Sequence, residues 1–598
     1  MKLKLLKGFG IKVLYIVDIN NYIVLPDAFV LSKININKDV EENELIKFVS
    51  NFFPNRLDEI KNGIKNIKQP ESEENKYEDK YTISIHPSRK CNLHCKYCFG
   101  SDGYLPCGEI DIETAKKAID FLVFNYGAGG SMYIVDLSGS GEPLLRFDFI
   151  KELDEYCDSL RNKTGKQILI NFATNATLLT DETTDYLKNC KCIIYGVSID
   201  GNERQNSNRL YKTGKPIYND LIKGIDKINN DLLGLAVTVT HTNEDVDEIY
   251  NSLYSLKPSA ISIHFVRDYD KDSPTSLYNI DMDNLLLHYN KLIELFIEHF
   301  DKGDYEFFYP LLRGDDFFGV LLKKNNFIGY IPKYRCGGGR SKIAVDDKGK
   351  LYACSIMNGN EDFCIGDIYK GIDKERQAKF FNSNIQMSQK CRECWCRNIC
   401  AGECMANSYL QTKTLYEPNT FLCELKQNLI PIAITFAEYL RKHYPTAYLA
   451  IRKQVISLTT YTNSDSATWS VLKILQHFDY PISFSDVAAN LSKLNNSIES
   501  SVDIGIHPQF VELYLKNFDK NFNAVVLEDA DSIEQIYNYP VIAYLNKCSG
   551  GYHQYILIES ANKKEIKYRN LKGTESNTIE TNVFLTYLSN IVIGNIEI

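Results

Sequence analysis

The sequence lacks features that mark two common classes of protein. No apolar run approaches the roughly 18 residues that a membrane-spanning helix needs, and the run that begins at Leu429 meets Glu438. A basic stripe of the kind that nucleic-acid binding requires is also missing, because the formal net charge is -9 and the two signs are interspersed. These absences predict a soluble protein without membrane or nucleic-acid partners.

An export signal is missing as well. The N-terminus begins with basic residues, but Lys7 and Lys12 interrupt any apolar segment, and no small-residue cleavage site follows. We therefore expect the chain to be cytoplasmic. The 598 residues contain 17 cysteines, and a chain of this length without an export signal is not expected to use them as a disulfide framework.

Three of the cysteines lie close together in Ser88-Arg-Lys-Cys-Asn-Leu-His-Cys-Lys-Tyr-Cys-Phe-Gly100. Cys91, Cys95 and Cys98 have a spacing that suits three corners of a 4Fe-4S cluster, which leaves the fourth iron open to bind a molecule other than protein. A structural zinc site is the alternative, because zinc also accepts closely spaced thiolates. His94 would be its candidate fourth ligand and is otherwise a solvated loop residue.

From residue 81 to about residue 266, short apolar strands alternate with helical segments. This pattern predicts an α/β fold in which repeated β-α units build a curved parallel sheet. The expected strands begin at Tyr81, Met132, Gln167, Ile193, Leu235 and Ile261, and the expected helices cover residues 112–124, 147–160 and 244–256. Active sites of such sheets lie at the carboxyl ends of the strands, and the cysteine loop directly follows the first strand.

This combination resembles the radical S-adenosylmethionine (SAM) enzymes, which share a partial (β/α)6 barrel with a C-x3-C-x2-C loop after its first strand. The resemblance implies that the three cysteines bind the catalytic cluster. Ser138-Gly-Ser-Gly-Glu-Pro143 is similar to the family's Gly-Gly-Glu-Pro element, whose backbone edge receives the amino group of SAM, although Ser140 replaces the first glycine. Arg209 is expected to pair with the SAM carboxylate. The implied cofactor-binding residues are Phe99, Ser140, Gly141, Glu142, Thr174, Asn175, Ser198, Asp200 and Arg209.

A second set of cysteines follows the predicted sheet, in the order Cys336, Cys354, Cys391-x2-Cys394-x5-Cys400-x3-Cys404 and Cys423. The order resembles the SPASM extension of peptide-modifying radical SAM enzymes, which binds two auxiliary 4Fe-4S clusters. The resemblance implies a distal cluster on Cys391, Cys394, Cys400 and Cys423. It implies a proximal cluster on Cys336, Cys354 and Cys404, with no further cysteine at the usual place and hence an open iron.

Cys364 and Cys396 are two additional thiols in this region. Each is a candidate for the missing proximal ligand, and the alternative is that each is a buried, inert residue. Zinc ribbons are the alternative for the whole set. Seven patterned thiolates, however, would overfill one zinc site and leave a second incomplete.

The sequence divides into five parts. An N-terminal domain covers residues 1–68, with a hairpin around Asn20-Asn21 and helical spacing from residue 42 to residue 67. A charged linker covers 69–80, the radical SAM partial barrel 81–330, the SPASM region 331–430 and a C-terminal α+β domain 444–598. The N-terminal domain resembles the winged-helix element that binds leader peptides by strand addition.

The C-terminal domain resembles the papain-like peptidases that remove double-glycine leaders during bacteriocin export. Their nucleophilic cysteine corresponds to Ser466, their histidine to His553 and their aspartate to a position near Asn570. A serine is a far weaker nucleophile than a histidine-paired thiolate, and Asn570 cannot stabilise an imidazolium as a carboxylate does. We expect no proteolysis and a role in docking a leader peptide, or else His553 is an ordinary strand residue.

The resemblance as a whole implies an enzyme with three 4Fe-4S clusters and SAM. It would abstract hydrogen from a ribosomally made precursor peptide with a leader sequence, and form a thioether or another side-chain crosslink. An external donor such as flavodoxin or ferredoxin would supply the electron. One alternative is an anaerobic sulfatase-maturating enzyme, which oxidises a cysteine or serine of a protein. Another is a non-catalytic iron-sulfur scaffold that binds peptides.

Overall fold

A computed structural model describes residues 1–26, 29, 34–36, 39–68, 80–98, 108–130, 132–164, 166–190, 192–228, 233–324, 334–381, 388–453, 464–480, 482, 487, 491, 508–527, 532–536, 538–545, 554–569, 576–581, 584 and 588–596. Among these residues, no helix is long and apolar enough to cross a membrane.

The N-terminal region contains a three-stranded antiparallel sheet in the order β1-β2-β3. Its strands are β1 (Leu3–Gly8), β2 (Ile11–Ile16) and β3 (Asn21–Leu25). Two helices follow, α1 (Glu42–Phe52) and α2 (Leu57–Lys68). The helical spacing predicted from residue 42 to residue 67 is present as these two helices, with an interruption at Phe53-Pro54. Proline disfavours helical geometry in the residue before it, and Phe53 has φ -142° and ψ 54°.

The middle of the chain builds the central sheet from six parallel strands in sequential order. These strands are β4 (Lys80–Ile85), β5 (Met132–Asp136), β6 (Gln167–Thr174), β7 (Ile193–Ser198), β8 (Gly234–Val239) and β9 (Ala260–Phe265). Because all six run in the same direction, their carboxyl ends share one edge of the sheet. The predicted α/β fold with a parallel central sheet is therefore confirmed.

Helices connect and follow these strands. They are α3 (Ile112–Asp120, continued by a π-helical turn over Phe121–Tyr126), α4 (Phe147–Thr164), α5 (Asp181–Asn189), α6 (Tyr218–Ile225), α7 (Val246–Tyr254), α8 (Met282–Asp301), α9 (Tyr309–Arg313) and α10 (Phe317–Lys324). The helices predicted at 112–124, 147–160 and 244–256 are all present. Apolar residues of strands and helices form one large buried core.

The cysteine-rich region continues the central sheet. Strand β10 (Lys342–Val345) pairs in parallel with β4, and β11 (Lys350–Tyr352), β12 (Cys364–Asp367) and β13 (Gly371–Ile372) extend the sheet in antiparallel fashion to ten strands. Its helices are α11 (Lys374–Phe381), α12 (Gln389–Glu393), α13 (Arg397–Cys400), α14 (Met405–Thr412) and α15 (Thr420–His443). Helix α15 runs through residue 430, where the sequence analysis ended this region.

The C-terminal region contains α16 (Pro445–Lys453), α17 (Ser464–His477) and α18 (Pro508–Lys516). Its antiparallel sheet has the order β14-β19-β15-β16-β17-β18. The strands are β14 (Phe522–Val526), β15 (Val541–Leu545), β16 (Gln554–Ala561), β17 (Glu565–Arg569), β18 (Asn577–Glu580) and β19 (Leu588–Asn595). Helices α17 and α18 share a buried apolar cluster with one set of strand residues, and a second cluster contains the other set. The α+β composition agrees with the prediction, while the papain-like assignment stays a prediction.

Candidate cofactor and iron-sulfur sites

The three cysteines of the first motif lie in the loop that follows β4, at the carboxyl edge of the central sheet. Cys91 and Cys95 are partly buried and Cys98 is exposed. The pKa of the Cys95 thiol is raised to about 12, mainly by burial, while Arg209 lowers it and the nearby thiols of Cys98 and Cys91 raise it. The three thiols therefore lie within electrostatic range of one another. Metal binding requires thiolates, so it would have to displace protons from this group.

Glu142 connects the ends of neighbouring strands to this loop. Its carboxylate accepts hydrogen bonds from Thr174 Oγ1 (2.7 Å) and from the backbone N–H of Asn175 (2.8 Å). Its own backbone N–H donates to the Lys90 carbonyl at 3.0 Å, next to Cys91. Glu142 is buried, which raises the pKa of its carboxyl group. Through its side chain and its backbone, this one residue joins the loop after β5 to the end of β6 and to the cysteine loop.

Close backbone contact between two of these loops requires a glycine at position 141. Gly141 has φ +69°, and a Cβ atom there would lie 2.2 Å from the Ser88 carbonyl oxygen. Any other residue would be strained and would also push the cysteine loop away. The glycine in the predicted Gly-Glu-Pro element therefore has a clear structural reason.

Asp200 and Arg209 form a buried ion pair on the other side of the loop. Arg209 Nε and Nη2 each donate to the Asp200 carboxylate at 2.9 Å. Tyr97 Oη donates to the same carboxylate at 2.6 Å, and Tyr97 lies between Cys95 and Cys98 in sequence. Arg209, expected to pair with the SAM carboxylate, is thus held by Asp200. The sequence analysis did not identify Tyr97, although its place between two cysteines was a usable signal.

Asn175 lies beside Cys91. Its Nδ2 donates to Asn92 Oδ1 at 2.9 Å and lies 4.0 Å from Cys91 Sγ. Ser198 is the last residue of β7 and reaches the same edge of the sheet. The structure therefore brings the predicted cofactor residues at the ends of three strands, β5, β6 and β7, to one edge of the sheet. Phe99 lies outside the described residues.

The chemistry of this edge fits SAM and a cluster. Ser140 Oγ and His86 Nε2 are buried and have no hydrogen-bond partner among the described residues, as expected of polar atoms that face a ligand. In the same part of the chain, no three His, Cys, Asp or Glu side chains lie close enough together to hold a single metal ion. Each cysteine of a 4Fe-4S cluster holds a different iron, so that observation concerns only mononuclear sites. His94 is exposed.

The predicted proximal cysteines also come together. The pKa of Cys354 is raised to about 12, mainly by burial and in part by the nearby Cys404 and Cys336 thiols. Cys364, one candidate for a fourth ligand, is buried in β12, where its Sγ lies 3.8 Å from the Gly366 carbonyl oxygen. Glu361 is the main cause of the raised pKa values of Lys350 and Arg376, and Cys364 contributes to both, so its thiol lies near these two side chains.

The other cysteines form a distal group that includes Cys396. The Sγ atoms of Cys394 and Cys396 are 3.4 Å apart. The nearby thiols of Cys400 and Cys423 contribute to the raised pKa of Cys396. A hydrogen bond with Cys396 lowers the pKa of Cys394 to about 6. Cys391 completes the group through its proximity to Cys400 and Cys394. The structure thus places Cys396 with the distal cysteines and not with the proximal ones.

The N-terminal domain packs directly against this distal loop. The rings of Tyr15 and Trp395 meet edge to face at 6.2 Å, and Asn398 Nδ2 donates to the Val17 carbonyl oxygen at 2.7 Å. Arg397 and Asp18 form an ion pair at the same contact. Trp395, Arg397 and Asn398 lie between Cys394 and Cys400 in sequence. The segment that carries distal cysteines is therefore also the contact surface for the N-terminal domain.

The residues proposed from the peptidase resemblance do not form a describable site. Ser466 lies in the first turn of α17. His553 and Asn570 lie outside the described residues.

A family model for the radical SAM superfamily matches residues 85–253, which include the cysteine loop, the Glu142 network and the Asp200–Arg209 pair. This part of the chain is a radical SAM domain. The radical SAM domain predicted from the sequence is therefore confirmed over these residues. The SPASM assignment of the second cysteine set stays a prediction.

Several characterised and uncharacterised proteins are related to the chain. An uncharacterized protein of Methanocaldococcus jannaschii is 28% identical over 284 residues, which are 47% of this chain and 86% of the relative. The cysteine-type anaerobic sulfatase-maturating enzyme of Clostridium novyi is 24% identical over 54% of this chain and 86% of its own length. The mycofactocin maturase MftC of Mycobacterium tuberculosis is 24% identical over 55% of this chain and 79% of its own length.

Solved structures with a similar backbone include anSMEcpe with bound AdoMet, which is 19% identical with a TM-score of 0.48 and aligns over 60% of this chain and 99% of that protein. Streptococcus suis SuiB bound to the precursor peptide SuiA is 16% identical with a TM-score of 0.42, over 61% of this chain and 80% of SuiB.

Proposed function

We propose that this chain is a radical SAM maturase that abstracts hydrogen from a ribosomally made precursor peptide and forms a thioether or another side-chain crosslink. The observation that carries the proposal is the Glu142 network, which gathers the cysteine loop and the ends of β5 and β6 at one edge of a radical SAM domain. The similarity of the chain to the mycofactocin maturase MftC supports a peptide substrate.

The chain's own residues would hold and orient the cofactors. Cys91, Cys95 and Cys98 would bind the cluster, and the loop from Gly139 to Glu142 would bind SAM. Together with an electron from a donor such as flavodoxin or ferredoxin, these groups supply a 5'-deoxyadenosyl radical when bound. Asp200 and Arg209 hold Tyr97, and with it the segment between Cys95 and Cys98, in position. The reaction would take place in the cytoplasm.

The second cysteine set would hold two auxiliary clusters. Five thiols gather in the distal group, where four are sufficient, while Cys336, Cys354 and Cys404 gather in the proximal group. We propose that the proximal cluster keeps an open iron. An open iron could bind a substrate thiolate, which would favour formation of a carbon-sulfur bond.

The peptide's leader would be bound outside the central sheet. A groove of about 450 Å³ runs between β1 and α15 and is lined by Lys4–Lys7, Trp395, Gln427 and Pro431, among others. Strand β1 lies at an edge of its sheet, a position that suits strand addition by an extended peptide. The C-terminal domain is a second candidate for leader docking, and one of the two domains would suffice for that role.

Anaerobic reconstitution followed by mass spectrometry of a candidate precursor peptide, with dithionite and SAM, tests the function. We expect each crosslink to remove two hydrogens from the peptide. Cys95→Ala should abolish this change, and Cys364→Ala, a cysteine outside both auxiliary groups, should not. A peptide that changes equally with Cys95→Ala would overturn the proposal, and a cut peptide would indicate hydrolysis at the C-terminal domain instead.

A second candidate is oxidation of a protein cysteine or serine, which is favoured by the similarity to the Clostridium novyi sulfatase-maturating enzyme. Incubation with a sulfatase-derived peptide separates the two functions, because a sulfatase maturase would oxidise that peptide without any leader sequence. A non-catalytic scaffold, the remaining alternative, would not cleave SAM in the absence of peptide.

A further inference from the structure

His86 occupies a place that the cysteine motif does not explain. It is the residue directly after β4, and it is 7% exposed. Its Nε2 has no hydrogen-bond partner among the described residues. Buried polar atoms without a partner are uncommon in folded proteins, and each calls for an explanation such as an absent ligand or water.

The histidine ring faces the loop that resembles the SAM-binding element. A Cβ atom added to Gly139, which has φ +108°, would lie 3.3 Å from His86 Nε2. The ring is also within hydrogen-bonding reach of the Ser138 backbone. Ser140, in the same loop, is 5% exposed, and its Oγ also has no partner among the described residues. Two buried polar atoms without a partner among the described residues thus occur at this loop, one on Ser140 itself and one on His86 beside Gly139.

The charge state of the ring determines what it can bind. Burial, followed by the proximity of Arg89, lowers the pKa of His86 to about 4, so the imidazole is neutral near pH 7. A neutral imidazole has one N–H donor and one acceptor nitrogen. If the ring N–H is directed to the Ser138 backbone, Nε2 is the acceptor nitrogen that is left for a ligand. A buried acceptor nitrogen of this kind suits an N–H donor such as an amino group.

We propose that His86 binds the amino group of SAM, together with the backbone edge of Gly139-Ser140. This inference rests on the proposed function, which supplies SAM as the ligand of this loop. It adds a side-chain acceptor, located directly after the first strand, to the backbone contacts that the resemblance implies. Ser140 Oγ, which stands where the family has a glycine, is a second polar contact available to the same ligand.

The proposal is tested by SAM binding to the anaerobically reconstituted full-length protein, measured by equilibrium dialysis. We expect His86→Leu to keep wild-type iron and sulfide contents and to weaken SAM binding by roughly ten- to a hundredfold, the loss of one buried hydrogen bond to a charged group. His86→Gln, which retains an acceptor, should bind SAM more tightly than His86→Leu. His94→Leu, an exposed histidine of the neighbouring loop, should bind SAM as the wild type does.

The deaminated analogue of SAM, in which a keto group replaces the amino group, identifies the contact. If His86 binds the amino group, wild-type protein and His86→Leu should bind this analogue equally, since the interaction is absent in both. Equal SAM affinity in wild type and His86→Leu would overturn the inference. So would loss of iron in His86→Leu, or an equal loss of affinity for SAM and for the analogue. Failure of the proposed function would instead appear in the wild-type protein, as an absence of SAM binding or cleavage.

Discussion

Glu142 accepts a 2.7 Å hydrogen bond from Thr174 Oγ1, which joins the loop after β5 to the last residue of β6. The same carboxylate holds the Asn175 backbone, and Asn175 in turn lies beside Cys91. The loops that follow β4, β5 and β6 are thus not independent of one another. A change at Glu142 should be transmitted to the cysteine loop and to the cofactor site.

Glu142→Gln should weaken SAM binding. Glutamine replaces one acceptor oxygen with an NH2 group that faces a donor, and leaving a buried donor unsatisfied costs about 1–3 kcal/mol. We expect the dissociation constant for SAM, measured by equilibrium dialysis on reconstituted protein, to rise at least about tenfold. Glu113→Gln, on the exposed face of α3 with 70% of the side chain accessible, is the control. Equal affinities of the two variants would show that Glu142 does not organise the site.

Gly141→Ala should impair cluster assembly at Cys91, Cys95 and Cys98. The new Cβ would lie 2.2 Å from the Ser88 carbonyl oxygen and displace the cysteine loop. Gly214→Ala is a matched control, because Gly214 also has a positive φ, +81°, but no atom lies within 4 Å of its added Cβ. Both variants carry backbone strain of about 1–2 kcal/mol. Only Gly141→Ala should lose the SAM-responsive signal in electron paramagnetic resonance, and equal signals would contradict the explanation.

The central sheet and the cysteine loop were predictable from sequence for a simple reason. Strands buried on both faces are short apolar runs bounded by polar residues, so β4 to β9 begin within one residue of their predicted starts. The interruption of the helical segment at Pro54 could also have been predicted from the sequence, but it was missed. It depends on one residue within otherwise continuous helical spacing.

Contacts between distant parts of the chain were not predictable in this way. The parallel pairing of β10 with β4 joins residues far apart in sequence, and periodicity within a segment carries no information about its partner. The Asp200–Arg209 pair and the buried position of His86 likewise depend on how the loops are folded over one another. Polar residues after strands can be recognised as site residues, but which of them pair with each other cannot.

Asp200→Asn should destabilise the carboxyl ends of β7 and β8. It would leave Arg209 as a buried charge without its carboxylate, a change that costs about 3–5 kcal/mol. The backbone N–H of Thr238 in β8 donates to Asp200 at 2.9 Å, so hydrogen exchange of β8 should accelerate. Lys227→Met, which removes a partly exposed ion pair with Asp181, should cost about 0–1 kcal/mol. Unchanged exchange in β8 would contradict the assigned role of the pair.

Asp316 should make the stability of the protein decrease as pH rises from about 4 to about 7. Burial raises its pKa from 3.8 to about 7 in the folded protein, so within this range the folded state keeps a proton that the unfolded state has lost. Stability contributed by the protonated form is complete below the unfolded pKa and is lost as pH rises through the folded one. The total effect is on the order of a few kcal/mol.

Asp316→Asn removes this titration. The apparent melting temperature of the wild type should fall relative to that of the variant as pH rises from about 4.5 to about 7. This range lies between the unfolded and the folded pKa of Asp316. Asp148→Asn, at a side chain that is 96% exposed, should follow the wild type. A constant difference between wild type and Asp316→Asn across these pH values would show that Asp316 is already ionised in the fold.

Cys404→Ala should remove about four irons per chain, the content of one cluster, because Cys404 belongs to the proximal group of three thiols. Cys396→Ala should keep its iron, since Cys391, Cys394, Cys400 and Cys423 still offer four distal thiolates. Cys364→Ala should also keep it, because this thiol contacts the Gly366 carbonyl within β12. Iron and acid-labile sulfide, measured after anaerobic reconstitution, give the answer. Loss of one cluster in Cys364→Ala or Cys396→Ala would identify that residue as a ligand. For Cys364 it would also mean that the proximal cluster has no open iron for a substrate thiolate.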